Sequence, residues 1–226
     1  MKIYGKNSLK ETLNNPEKIK KIYLTPNFKD QEIIQKIKQN KIKYETMSQQ
    51  VMDKYNSKNQ GIMALIDDYE YTNFEEVYNY DKIIILDHLE DPHNFGAIIR
   101  TVEAAGLKII IIPKDRSVDV NDTVMKTSTG ALNYIKIVRV TNLNQTIQKL
   151  KENNYFIYGA EADGKDYKQV SYTDKVALVI GSEGKGISPL IRKNCDEIIS
   201  LPMKGNINSL NASVSASILI YDLISR

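Results

Sequence analysis

The side chains best suited to chemistry in this sequence sit in three polar turns, each following an apolar run. The first, DPHNFGAIIR (91–100), carries Asn94 and, six residues on, Arg100. The second, VIGSEGKGIS (179–188), sets Glu183 among glycines, and the third, LPMKGNINSLNAS (201–213), holds Ser209 and Asn211. Backbone amides and carbonyls together with Asn, Ser and Glu side chains suit a neutral or zwitterionic ligand better than a polyphosphate. GSEGKGIS does not fit the phosphate-loop pattern, and its glycines run G-x-x-G-x-G, the reverse of the dinucleotide fingerprint. A glutamate inside that loop would repel phosphates. No G-x-G-x-x-G follows any apolar run, which excludes a nicotinamide dehydrogenase. His88 and His93 have no Cys, Asp or Ser partner at motif spacing and read as loop histidines rather than members of a triad. Two histidines and the single Cys195 leave few ligands for zinc, so no metal is expected.

Strands and helices must hold these turns. KIIILD and LKIIII are apolar enough to be covered on both faces, and a helix from Asn94 to Ala105 joins them as a βαβ unit. IKIVRV, YFIYGA, VALVIG and IISLPM supply further strands. NLNQTIQKLKEN and SLNASVSASILIYDLI are helical, the latter with Ser209 as its expected N-cap. Alternation of this kind favours a mostly parallel sheet with a ligand at the strands' carboxyl ends. Upstream, NSLKETL, DQEIIQKIKQ and SQQVMDKY read as helices, and IKKIYLT, KIKYETM and GIMALI as strands. The expected division is a small α/β domain at 1–67, a linker at 68–80 and a larger α/β domain at 81–226.

The chain of 226 residues has 42% hydrophobic and 26% charged residues, ordinary for a globular protein. The lone cysteine suits a reducing cytoplasm, and no apolar stretch is long enough for a membrane span. The net charge of +3 is unevenly spread: residues 1–60 carry thirteen lysines, no arginine and six acids, a local balance of +7. A basic lobe on a mildly acidic body fits a polyanion such as nucleic acid.

Taken together, LDHLEDPHNFGAIIRTVEAAG, ALVIGSEGKGIS and ISLPMKGNINSLNASVSASILIYDL, in this order and spacing, resemble the three signature motifs of the SpoU-type RNA 2′-O-ribose methyltransferases of the SPOUT superfamily. The N-terminal part resembles the small L30e-like substrate-binding domain of the ribosomal RNA branch of that family, ending in NQGIMALI. The resemblance implies a trefoil-knotted C-terminal α/β domain, S-adenosylmethionine bound in the knot, and a homodimer whose active site draws on both subunits. The cofactor is expected against Gly181, Leu201 and Leu210, with Ser200, Met203 and Ser209 in the loops that grip the adenine. The RNA is expected to be ribosomal, with a guanosine ribose of the large-subunit RNA as target. Transfer RNA, or a non-catalytic role in ribosome assembly, are the rival expectations.

For each motif residue a bland role stands beside the chemical one. Asn94 is placed to cap its helix; the resemblance makes it an active-site residue. Arg100 lies opposite the stripe Ile98, Thr101, Val102 and Ala105, where it would be solvated and paired with Glu103. The resemblance instead puts it beside the target ribose. A free arginine is far too weak a base, so Arg100 is expected to stabilise developing negative charge, with Asn94 positioning the reactants. Glu183 is either an exposed loop carboxylate or the group that orients Arg100 or Asn94. For Ser209 and Asn211, capping and an active-site place are compatible.

Overall fold

The computed structural model describes residues 1–226, and the chain forms two compact units. Unit one comprises residues 1–70 and 120–133. Its strands are β1 (Lys2–Tyr4), β2 (Ile19–Leu24), β3 (Tyr44–Thr46) and β4 (Ile62–Ile66), and its helices α1 (Lys6–Thr12), α2 (Gln31–Gln39) and α3 (Gln49–Tyr55). The sheet order is β1-β4-β2-β3. β4 runs antiparallel to both its neighbours, and β3 parallel to β2. α2 buries Ile33 and Ile37 on one stripe and is capped by Asp30, which accepts from Ile33 N–H. KIKYETM, which alternates like a strand, contributes only three exposed edge residues.

Unit two comprises 71–119 and 134–226. Its strands are β5 (Lys82–Asp87), β6 (Ile109–Pro113), β7 (Lys136–Val140), β8 (Phe156–Asp166), β9 (Val176–Gly181) and β10 (Glu197–Ser200). They form one parallel sheet in the order β10-β8-β9-β5-β6-β7. Ile83, Ile84, Ile85 and Leu86 on β5 and Ile109–Ile112 on β6 are all buried, as strands covered on both faces must be. The helices are α4 (Pro92–Ala104), α6 (Leu143–Glu152), α7 (Pro189–Asn194) and α8 (Ala212–Ser225), α5 (Asp122–Thr127) belonging to unit one.

The segment 120–133, part of the domain expected at 81–226, packs in unit one. There Asp122 Oδ1 accepts from Lys2 N–H at 2.8 Å. Gly130, at φ +90°, lets the backbone pass Glu11 so closely that a Cβ would lie 2.3 Å from Glu11 Cγ. Two expectations need correction. First, α4 begins at Pro92, two residues before Asn94, because Asp91 is its N-cap, accepting from His93 N–H at 2.7 Å. Second, α8 is capped by Asn211 rather than Ser209, its side chain accepting from Ser213 N–H at 2.9 Å and Val214 N–H at 3.4 Å. Asp91→Ala removes one such acceptor. It is expected to lower unfolding free energy by about 1 kcal/mol, measured by urea denaturation; an unchanged midpoint would count against the cap.

Candidate active site at the carboxyl ends of the unit-two strands

A cleft of ≈ 280 Å³ lies at the ends of β9 and β10 and beside the middle of β8. Its floor is made by Ala160–Ala162 of β8 and by Ile180–Gly184 at the end of β9 and beyond. Its walls are Leu201, Met203, Asn208, Ser209 and Leu210 after β10, with Ala212 and Ser215 of α8. This is where an open parallel sheet leaves space for a ligand. Among the lining residues are two carboxylates, Glu161 and Glu183, and no lysine or arginine.

The cleft is held by close chain contacts. Ser182 and Gly186 exchange backbone hydrogen bonds at 2.9 and 3.1 Å, folding residues 182–186 back on β9. Asp87, 1% exposed at the end of β5, accepts from Ser188 N–H through Oδ2 at 2.6 Å and faces His88 Nδ1 through Oδ1 at 2.5 Å. His88 therefore does have an acidic partner. Its left-handed backbone, φ 57°, turns the ring back on the preceding side chain, which no spacing rule would reveal. Asp87 is a site-building residue that the motif reading missed; the signal for it was an acid ending an otherwise apolar strand.

Asn94, in the first turn of α4 and 7% exposed, donates from Nδ2 to Glu183 Oε1. Two of the expected residues, 89 positions apart, are thus paired at the cleft edge. Gly181, Leu201, Met203, Ser209 and Leu210 line the cleft as well. Asn211 stands at its rim, with its side-chain oxygen engaged in capping α8. Ser200 is not brought in: it is buried and its hydroxyl donates to Gly164 O at 2.8 Å. Arg100 is exposed on α4, outside the cleft lining, and makes no ion pair, with Glu103 or any other acid. α4 packs along α8, where the Thr101 and Ser217 hydroxyls meet at 2.9 Å.

Burial pushes the Cys195 thiol up to about 12, which keeps it protonated and unsuited to nucleophilic work. No three His, Cys, Asp or Glu side chains are grouped as a metal site requires, and no helix is long and apolar enough to cross a membrane.

Comparison with known proteins bears on the whole chain. A family model described as "SpoU rRNA Methylase family" matches residues 81–221, and one described as "RNA 2'-O ribose methyltransferase substrate binding" matches residues 2–72. A protein of Staphylococcus haemolyticus named for the TrmH family of tRNA/rRNA methyltransferases is 42% identical over 233 residues, covering 98% of this chain and 94% of its own. One from Staphylococcus aureus with the same name is 41% identical over 236 residues, covering 99% and 95%. Among solved structures, the SpoU methyltransferase AviRb of Streptomyces viridochromogenes, crystallised with AdoMet, superposes with a TM-score of 0.86 at 20% identity, covering 100% of this chain and 89% of that one. An AdoMet-bound rRNA methyltransferase of Sinorhizobium meliloti gives 0.82 at 20% identity, covering 98% and 85%.

Proposed function

The chain belongs to the SpoU rRNA methylase family and is an RNA methyltransferase, and from that premise we propose that it methylates a ribose 2′-hydroxyl, with S-adenosylmethionine as donor and a guanosine of large-subunit ribosomal RNA as target. The observation that carries the proposal is the charge of the cleft: two carboxylates and no cation line it. Such a site repels nucleotide phosphates and accommodates a ligand bearing a sulfonium and an ammonium. The apolar side chains of Leu201, Met203 and Leu210 offer surfaces for an adenine ring.

When bound, S-adenosylmethionine supplies a methyl group already activated by the sulfonium. The chain must then hold the ribose oxygen near that carbon and lower the cost of removing its proton. Asn94, fixed by Glu183, is the positioning group. Arg100 stabilises the negative charge that develops on the 2′-oxygen, or on the adjoining phosphate, as the proton leaves to solvent. Within a single chain Arg100 lies outside the cleft lining, which supports a homodimer in which one copy's Arg100 serves the other's cleft. The exposed apolar side chains Val214, Ile218 and Tyr221 along α8, with Leu210 just before it, are a fitting surface for such a contact. The trefoil knot belongs to the same proposal, supported by the match of residues 81–221 to the family model. The thirteen lysines of the first sixty residues support RNA backbone contact by that unit, and the free Cys195 supports a cytoplasmic setting.

The test is tritium transfer from labelled S-adenosylmethionine to unmodified RNA, fractionated into large ribosomal, small ribosomal and transfer RNA, followed by nucleoside analysis. Label in a 2′-O-methylguanosine of the large-subunit RNA is the expected result. Label in transfer RNA would replace the substrate and keep the chemistry; label on a base would overturn the 2′-O assignment. Tight cofactor binding with no label on free RNA or ribosomal particles would leave an RNA-binding assembly factor.

A further inference from the structure

Glu161 lies in none of the three motifs, yet its side chain lines the same cleft. Oε1 accepts from Ile187 N–H at 2.5 Å, and a Cβ on Gly186 would sit 2.5 and 2.8 Å from its two oxygens, so the carboxylate is seated against the turn after β9. No cation pairs with it: Arg192 pairs with Asp163 at 2.9 Å. An ionised carboxylate has about four acceptor positions, and one backbone N–H occupies one of them. The remaining positions call for donors on whatever the cleft holds.

Strand order indicates which donors those are. Along the sheet β10, β8, β9 and β5 follow one another. Leu201 and Met203 continue β10, whereas the Asn94–Glu183 pair joins the turn after β9 to the helix after β5. A ligand with its base at the β10 end and its reacting carbon near Asn94 must cross β8, where Glu161 stands. In an adenosyl ligand the part between base and reacting carbon is the ribose. We propose that Glu161 is a cofactor-binding residue whose carboxylate accepts hydrogen bonds from the ribose 2′- and 3′-hydroxyls of the adenosyl donor. The inference rests on the reading that this cleft takes S-adenosylmethionine. Hydrogen bonds to an ionised acceptor are about twice as strong as neutral ones. An acid on a ribose hydroxyl is also the device by which dinucleotide folds hold their ligands.

Calorimetric titration with S-adenosylhomocysteine, its 2′,3′-dideoxy analogue and its analogue lacking the α-amino group tests this directly. The unmodified protein is expected to bind the dideoxy analogue about ten- to a hundredfold more weakly than S-adenosylhomocysteine. Glu161→Ala should bind both with the same weakened affinity, and Glu161→Gln, which keeps an acceptor for Ile187 N–H, should keep the native melting temperature and only part of the discrimination. If Glu161→Ala still discriminates against the dideoxy analogue as the native protein does, the proposal is wrong. It is equally wrong if discrimination lost in the variant concerns the α-amino group, since the carboxylate would then face the ammonium. Failure of the unmodified protein to bind any adenosyl ligand would remove the proposed function itself, and this inference with it.

Discussion

Arg100→Ala is expected to bind S-adenosylmethionine with unchanged affinity and to lose methylation by about two to three orders of magnitude, the usual cost of deleting one preorganised stabiliser of transition-state charge. The two halves of this expectation come from separate observations. Affinity should hold because Arg100 is outside the cleft lining. Turnover should fall because the proposed mechanism gives this guanidinium, free of any ion pair on the helix whose first turn carries Asn94, the charge developing on the ribose oxygen. Arg100→Lys should recover only part of the rate, since an ammonium cannot reproduce the planar two-point contact of a guanidinium with a phosphate or an oxyanion. Cofactor titration alongside single-turnover methylation separates binding from chemistry. Native turnover in Arg100→Ala would return the residue to the solvated face of α4. Mixing Arg100→Ala with a cleft-defective variant gives a further check. Recovered activity in the mixture is the signature of a site shared between two copies, and its absence would confine each site to one chain.

Gly181→Ala should abolish cofactor binding and destabilise unit two by about 3 kcal/mol, the upper range for overpacking. A Cβ at this position would meet Gly186 C at 2.1 Å, Ile187 N at 2.3 Å and Gly186 O at 2.4 Å. All three are backbone atoms, so no rotamer change relieves the clash. The turn 182–186 would have to lift off β9, carrying Glu183 away from Asn94 and Ile187 N–H away from Glu161. Further along the same turn, an alanine methyl at Gly184 would meet nothing within 4 Å. Gly184→Ala is therefore the matched control and should melt as the native protein does. Thermal melts and cofactor titration of both variants decide the matter. A Gly181→Ala protein with native melting and affinity would mean that the turn has slack the geometry does not provide.

The sheet of unit two was legible because the signs of it are local. A strand covered on both faces must be apolar at consecutive positions, and KIIILD, LKIIII and VALVIG are. Helix starts were less legible. Asp91, Asn94, Ser209 and Asn211 are all good caps by type, and only the backbone geometry distinguishes Asp91 and Asn211 from the others. Pro92 was a signal for the first, since proline favours the first helical position. β8 runs well past YFIYGA through the polar EADGKD, because it pairs there with β10, far along the chain. No periodicity in the segment itself records that pairing.

By itself, the sequence determined the strand-helix alternation, the three polar turns, the unsuitability of those turns for phosphate and the family to which the chain belongs. Each of these depends on short stretches of neighbouring residues, or on the order in which such stretches follow one another. Only the tertiary structure decided that 120–133 packs with the first seventy residues, that Asn94 meets Glu183, that Ser200 turns to Gly164 and that Asp87 and Glu161 tie the cleft together. Those facts depend on contacts between distant segments. A carboxylate or a glycine has the same letter wherever it lies, and its partner is chosen by how the strands are ordered in the sheet.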